Sequence, residues 1–500
     1  MKAFWNRFIH LILVTVVIVS LLFSLMILHP SLPLMDRFMH GEDEVNNGPR
    51  VTQQENNETN TPTLTESTRP EGLVYYSGGQ FRESGTKALL NVVIETIRPL
   101  LTSDKEVKAE KQNVSTYQTN ILSQAPYVEL IFPDQIDLAI FKQSEDQENH
   151  HFNRLGYALG DKMLYLINDE KNEVYTLPLN QALDQMKSTL DKYKEDFYAV
   201  EQVLLHNQVA YVSTEDRMVP TLRYMMERQS NSKLLNALFP ESEEIHDYSD
   251  TQMSRYFAGG YSLLVNNNDF QSEYREEFGD SEQMPDLDAG YKYLQRVQPE
   301  NEMWLLSAYN YDQKSCTFRR YVNGLPVFGD HFVSRITLTK PKDNMMEIQF
   351  SALSIQTPVT DLEVPMYLPA GKSVLAALNE QGYTNNDIED LKLGYYWQAS
   401  DKSNRLIDLK PCWLVKLKGE YYALSALIDL NQYPALQTKN EDNETIELNV
   451  MKNTPLEQDD KDLTRANIDS KDESVSGDMT AVGPLLLKGT TKEGSVHYGF

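Results

Sequence analysis

The sequence predicts an α+β protein: a single N-terminal transmembrane helix followed by a multidomain extracytoplasmic region of antiparallel sheets with packed helices. Three observations predict it. An uncharged apolar run covers Leu11–Leu28, short β-prone runs recur between turn signals over 73–430, and two polar, acid-rich stretches bracket that region.

The apolar run is interrupted only by Thr15, Ser20 and Ser24. With Phe8 and Ile9 it reaches the about 20 residues that cross a hydrocarbon core about 30 Å thick. Lys2 and Arg7 precede it, and Pro30, Pro33 and Asp36 follow. Residues 1–7 are therefore expected in the cytoplasm and the rest of the chain outside, in contact with membrane lipid through this one helix. A cleavable signal peptide is disfavoured, because its apolar region usually has about 7–15 residues and ends at a small-residue cleavage site. Met26-Ile27-Leu28-His29-Pro30 offers no such site. Ser20 and Ser24 stand four apart, the spacing at which small residues let a partner helix approach closely; the blander alternative is that they bond to their own helix.

Five further segments follow the anchor at 1–30. Residues 31–72 are expected as a disordered tether, since from Gly41 to Gly72 the chain holds few aliphatic side chains and buries too little apolar surface to offset its ordering entropy. Residues 73–215 form an N-terminal α+β domain. Leu89, Leu90, Val93, Ile94 and Ile97 recur at helical spacing and Pro99 closes that helix, and Tyr127 to Phe132 is a strand ended by Pro133. Met163 to Ile167 and Val174 to Leu177 make a hairpin, a helix lies around Gln181 to Tyr193, and Tyr198 to Leu205 turns at His206-Asn207 into Val209 to Ser213.

Residues 216–300 are expected as a smaller, more helical, mixed domain holding Val219 to Arg228 and Leu234 to Phe239. Residues 301–430 form a β-rich domain. Trp304 to Tyr309 pairs with Cys316 to Val322, Asn323-Gly324 is a turn signal, and Phe332 to Leu338 and Ile348 to Ile355 are strands. A helix from Ser373 to Glu380 stops at Gly382, with Ser373 as its N-cap; Leu391 to Trp397, Pro411 to Leu417 and Tyr421 to Ile428 complete the sheet across a Lys418-Gly419 turn. Residues 431–500 are expected as an acidic disordered tail.

Composition excludes several functions. A net charge of −27 argues against nucleic acid as a partner, because phosphate binding needs clustered Lys and Arg. Two cysteines rule out a disulfide scaffold and a cysteine-built zinc site; Cys316 and Cys412 are either one disulfide or two buried thiols. Ala370-Gly371-Lys372-Ser373 looks like the end of a phosphate loop, but Met366 stands where its first glycine belongs. Asp286-Leu287-Asp288 lacks the glycine and glutamate of a calcium loop, and His150-His151 has no partner at ligand spacing. No catalytic constellation, metal site or cofactor is expected.

The anchor followed by His29-Pro30-Ser31, the large outer region, and Phe318-Arg319-Arg320-Tyr321-Val322-Asn323-Gly324-Leu325-Pro326-Val327-Phe328-Gly329 together resemble the YycH family of low-GC Gram-positive bacteria. Asn323, Gly324, Pro326 and Phe328 carry that motif; the same stretch is similar to YycI and to PepSY-like and protease-propeptide modules. Leu238-Phe239-Pro240 and Lys410-Pro411-Cys412-Trp413 extend the resemblance over about 1–430, and the acidic tail departs from it. The resemblance implies a non-enzymatic regulator of the sensor histidine kinase WalK (YycG) of the essential cell-wall two-component system, acting beside a YycI-type protein. The competing expectations are an anchored extracytoplasmic enzyme or protease-inhibitor-like protein, and a wall-binding module.

Overall fold

A computed structural model describes residues 68–457 except 103–107, 123–125, 143–149, 184, 242, 279–292, 298–302, 311–314, 331, 343, 360–363 and 449. They all fall in one compact unit, 61–500. Leu11–Leu28, with Ser20 and Ser24, and the tail beyond 457 lie outside the described residues. Among those described, no helix is long and apolar enough to cross a membrane.

Two sheets organise the described chain. The first has nine strands, running from Lys108–Gln112 through the hairpin Glu173–Pro178 and Met163–Asn168 to His151–Ala158, Tyr127–Asp137, Gly72–Ser77, Gln80–Ser84, Tyr198–Leu205 and Gln208–Ser213. Helix Lys87–Leu101 covers it, burying Leu89, Leu90, Val93, Ile94, Ile97 and Leu101 along one stripe. Pro99 does not close this helix. It sits in the last turn, and the Thr102 N–H bonds back to Arg98 O beyond it. Tyr127–Asp137 likewise runs through Pro133, with its register shifting between Ile131 and Ile136.

The second sheet joins strands from 217 to 440. Of the helical character expected for 216–300, helix Asn231–Leu238 is present, but Arg217–Arg228 is a twelve-residue strand, and Met253–Ala258, Tyr261–Asn266 and Gln271–Glu277 form an antiparallel meander. The buried residues of Arg217–Arg228 are Val219, Leu222 and Met226, and intervals of three and four imitate a helical stripe. Strand alternation puts Leu222 and Met226 on one face and Val219 on the other, so the spacing reflects burial on both sides of the strand. Nor does the sheet divide near 300. Gln271–Glu277 pairs with Met345–Ser351, while Arg217–Arg228 pairs with Leu353–Pro358, Val364–Leu368 and Leu406–Leu417.

Three boundaries also move. Thr68 is buried and Gly72 already begins a strand, so the expected tether gives way to folded chain before 72. The expected tail is folded through 457: Lys439–Asn440 pairs with Val364–Leu368, and Leu436 and Leu456 are buried. Helix Gly371–Glu380 starts two residues before Ser373, with Ala370 at the cap position. A hydroxyl from the other sheet serves its first turn instead, since the Gly371 N–H donates to Ser213 Oγ at 2.9 Å and the Ala370 N–H to Asp216 Oδ1 at 2.9 Å.

Candidate protein-contact site

The predicted motif occupies the join between the sheets. Asn323 and Gly324 have φ of 49° and 79°, the paired positive values of a tight hairpin turn, and link Ser315–Val322 to Leu325–Phe328. Gly324 is required twice over, because a Cβ there would meet Gly85 O at 2.5 Å. After Pro326 the strand leaves its hairpin partner and runs parallel to Ile388–Ala399, pairing Val327 with Tyr395 and Phe328 with Tyr396. Gly394 gives it room: a Cβ would lie 2.8 Å from Pro326 O and 2.3 Å from Leu414 Cδ1.

Around this strand the structure gathers charges that local sequence did not single out. Tyr321 Oη donates to Glu71 Oε2 at 2.8 Å, and Lys392 Nζ donates to Glu71 Oε1 at 2.9 Å. Lys392 also pairs with Asp390 at 2.9 Å, and Tyr421 Oη donates to Asp390 Oδ2 at 2.7 Å. Burial alone would lower the Lys392 pKa, but Asp390 and Glu71 drive it well above the ordinary lysine value. Burial likewise opposes ionisation of Asp390, and Lys392 with the Tyr421 hydroxyl still holds it below the usual carboxylate range. Glu71, one residue before the first strand, is thereby fastened to the motif hairpin.

On the hairpin's other side Arg319 lies over the Phe328 ring, 3.8 Å from its centroid, and grips Glu457 through two bonds of 2.9 and 2.8 Å. Ser334 Oγ also donates to Glu457, and Arg335 stands 3.9 Å away. Two adjacent arginines, Arg319-Arg320, inside a strand with Cys316, Phe318, Tyr321 and Val322 signal that partners exist. Arg320 is buried between Trp304 and Trp397, at 4.8 and 5.0 Å from their rings. Which acids would pair could not be read, since Glu71 is 250 residues from Tyr321 and Glu457 is 138 from Arg319.

A third group has a measurable consequence. Glu83 faces Tyr198 across paired strands, and Arg217 stacks 3.0 Å over the Tyr198 ring. Burial pushes the Glu83 carboxyl from 4.5 up to about 7, against the lowering influence of the Tyr198 hydrogen bond and the Arg217 charge. The folded state therefore holds a proton that the unfolded chain has released, so this stability is full below about 4.5 and lost as pH rises through about 7, by about 3 kcal/mol. Glu83→Gln should flatten the decline in urea midpoint between pH 5 and pH 8; a variant as pH-dependent as the parent would contradict the assignment.

Cys316 and Cys412 are two free, buried thiols in separate apolar clusters, each pushed up to about 12 by burial. No group of three or more His, Cys, Asp or Glu able to hold a metal occurs among the described residues. The motif site pairs its carboxylates with cations and hydroxyls, an arrangement suited to fixing strands to one another.

Comparison with known proteins places residues 207–448 as a match to the family described as YycH protein, C-terminal domain, and the four motif residues fall within that range. No curated protein sequence matches significantly. Among solved structures, the crystal structure of YycH from Bacillus subtilis is similar with a TM-score of 0.57 at 17% identity, covering 73% of this chain and 97% of that one. At that identity the likeness establishes the fold, a mixed α+β arrangement of antiparallel sheets with few helices.

Proposed function

We propose a function from one premise: through the domain at 207–448, this chain belongs to the YycH family. It is a regulator of the WalK (YycG) sensor histidine kinase system and not an enzyme, held in the cell membrane by Leu11–Leu28 with its mass extracytoplasmic, and it acts beside a YycI-type protein. The observation that carries this is the match of residues 207–448 to the YycH C-terminal domain; in the structure Glu71 fastens the start of the described chain to this domain through Tyr321 and Lys392.

Mechanistically, the anchor packs on a kinase helix with Ser20 and Ser24 at the close-approach face and favours one of two signalling geometries. An ordinary coupling of this kind is about 1–3 kcal/mol, or roughly 5–150-fold in the ratio of states. Full-length protein should alter expression of the kinase's target genes, and a version exported with a cleavable leader in place of residues 1–30 should not. Ser20→Leu with Ser24→Leu should weaken in-membrane crosslinking to the kinase. Regulation that persists in the anchorless version would favour the soluble enzyme, inhibitor or wall-binding alternatives.

A further inference from the structure

Alternate residues of Leu406–Leu417 face opposite sides of the sheet, and both sides are apolar. Leu409, Trp413 and Val415 join the main core, where Trp413 Nε1 donates to Pro369 O beside helix Gly371–Glu380. Cys412 and Leu414 belong to the other side, with Phe328, Tyr396 and Ala423. Among the described residues, this cluster takes no side chain from a helix. It is covered by residues 450–457, beyond residue 448 where the matched family domain ends, with a turn at 452–453 in which the Thr454 N–H bonds back to Met451 O.

Among the described residues, two backbone bonds tie that run down, one to helix Leu424–Leu427 and one to strand Glu420–Ala423. The Asn453 N–H donates to Ala426 O and the Leu456 N–H to Tyr421 O, each at 2.8 Å. Leu456 is buried against the cluster and Val450 half-buried. Its end is fixed far more firmly, by Glu457 in the cradle of Arg319, Ser334 and Arg335. Two cations and a hydroxyl converging on one carboxylate, next to an apolar sheet face, form a receptor for an aliphatic residue followed by an acid.

We propose that this face is a docking groove for a short segment carrying an aliphatic–carboxylate pair, and that residues 450–457 are a detachable strap occupying it, latched by Glu457. A partner segment of the same chemistry would bind by displacing the strap, which competes from the same chain at an effective concentration of order millimolar. The groove is therefore closed by default and opens to a partner only when the latch is outcompeted.

Cys412 lies under the strap and Cys316 in the main core, so the two thiols report local and global opening separately. In the full-length Glu457→Ala chain, maleimide labelling of Cys412 should rise about tenfold or more over the parent while Cys316 stays protected. A synthetic peptide of residues 450–457, supplied at millimolar concentration, should restore protection of Cys412, and the same peptide with glutamine in place of Glu457 should not. Unchanged Cys412 labelling, or both thiols rising together, would overturn the detachable strap. Failure of the acidic peptide to protect, or equal protection by the glutamine peptide, would overturn the groove.

Discussion

Replacing Arg154 by alanine is expected to destabilise the nine-stranded sheet by about 3–5 kcal/mol, the usual effect of removing one member of a buried ion pair. Arg154 lies 2.7 Å from Glu129 Oε1 and 2.5 Å from Asp169 Oδ1, and the three side chains are 1%, 0% and 2% exposed. Burial would lower the arginine pKa, yet the two carboxylates raise it well above the ordinary value. Tyr127 donates to Glu129 at 2.7 Å, Tyr117 to Tyr127 at 3.0 Å and Tyr211 to Glu129 at 3.1 Å, so the surroundings are built around a charge that must be neutralised. Alanine leaves two carboxylates sealed from water with no cation. Neutralising them as well, in Arg154→Met with Glu129→Gln and Asp169→Asn, should recover a large part of the loss, because an uncharged set no longer carries the desolvation penalty. Urea or thermal unfolding of the three chains measures this; a single variant within about 1 kcal/mol of the parent would contradict it.

Phe328→Ala comes second, at about 3–5 kcal/mol, from the lost transfer energy of a fully buried ring and the cavity left behind. The ring is 1% exposed, packs 4.8 Å from the Tyr421 ring and supports the Arg319 guanidinium. Its loss frees Arg319 to move, so the variant should also loosen Glu457. Phe328→Leu, which keeps most of the volume, should lose roughly half as much. Equal melting temperatures for Phe328→Ala and the parent would show that this ring is not part of the scaffold.

The elements legible in the sequence were those whose signal is local. Asn323-Gly324 and Lys418-Gly419 both adopt the positive-φ pairs that such dipeptides favour, and the stripe Leu89 to Ile97 is the buried face of its helix. Errors arose where packing overrode local pattern. Val219, Leu222 and Met226 carried helical intervals in a strand, and Ser373 was a plausible cap until Ser213, from a distant strand, took that role. In the site, Asn323, Gly324, Pro326 and Phe328 were found as a motif, and the structure brings them together at the sheet join. Glu71, Lys392 and Glu457 were not found, because an ion pair closed over hundreds of residues leaves no trace in spacing. The acidic character that suggested a loose tail after 431 concealed Leu436, Leu456 and Glu457, a few anchoring side chains among many solvated ones.

The strand Arg217–Arg228 has an implication for how the nascent polypeptide matures. Its neighbours in the sheet come from Leu353–Pro358, Val364–Leu368 and Leu406–Leu417, all made much later, with Leu222 waiting for Leu409. At about 5–20 residues added per second, that wait is roughly ten to forty seconds. The nine-stranded sheet, complete by Ser213, is free to assemble in the meantime. A long hydrogen-bonding edge is thus left bare on a half-made molecule, the kind of surface that chaperones shield and that mispairs when synthesis stalls.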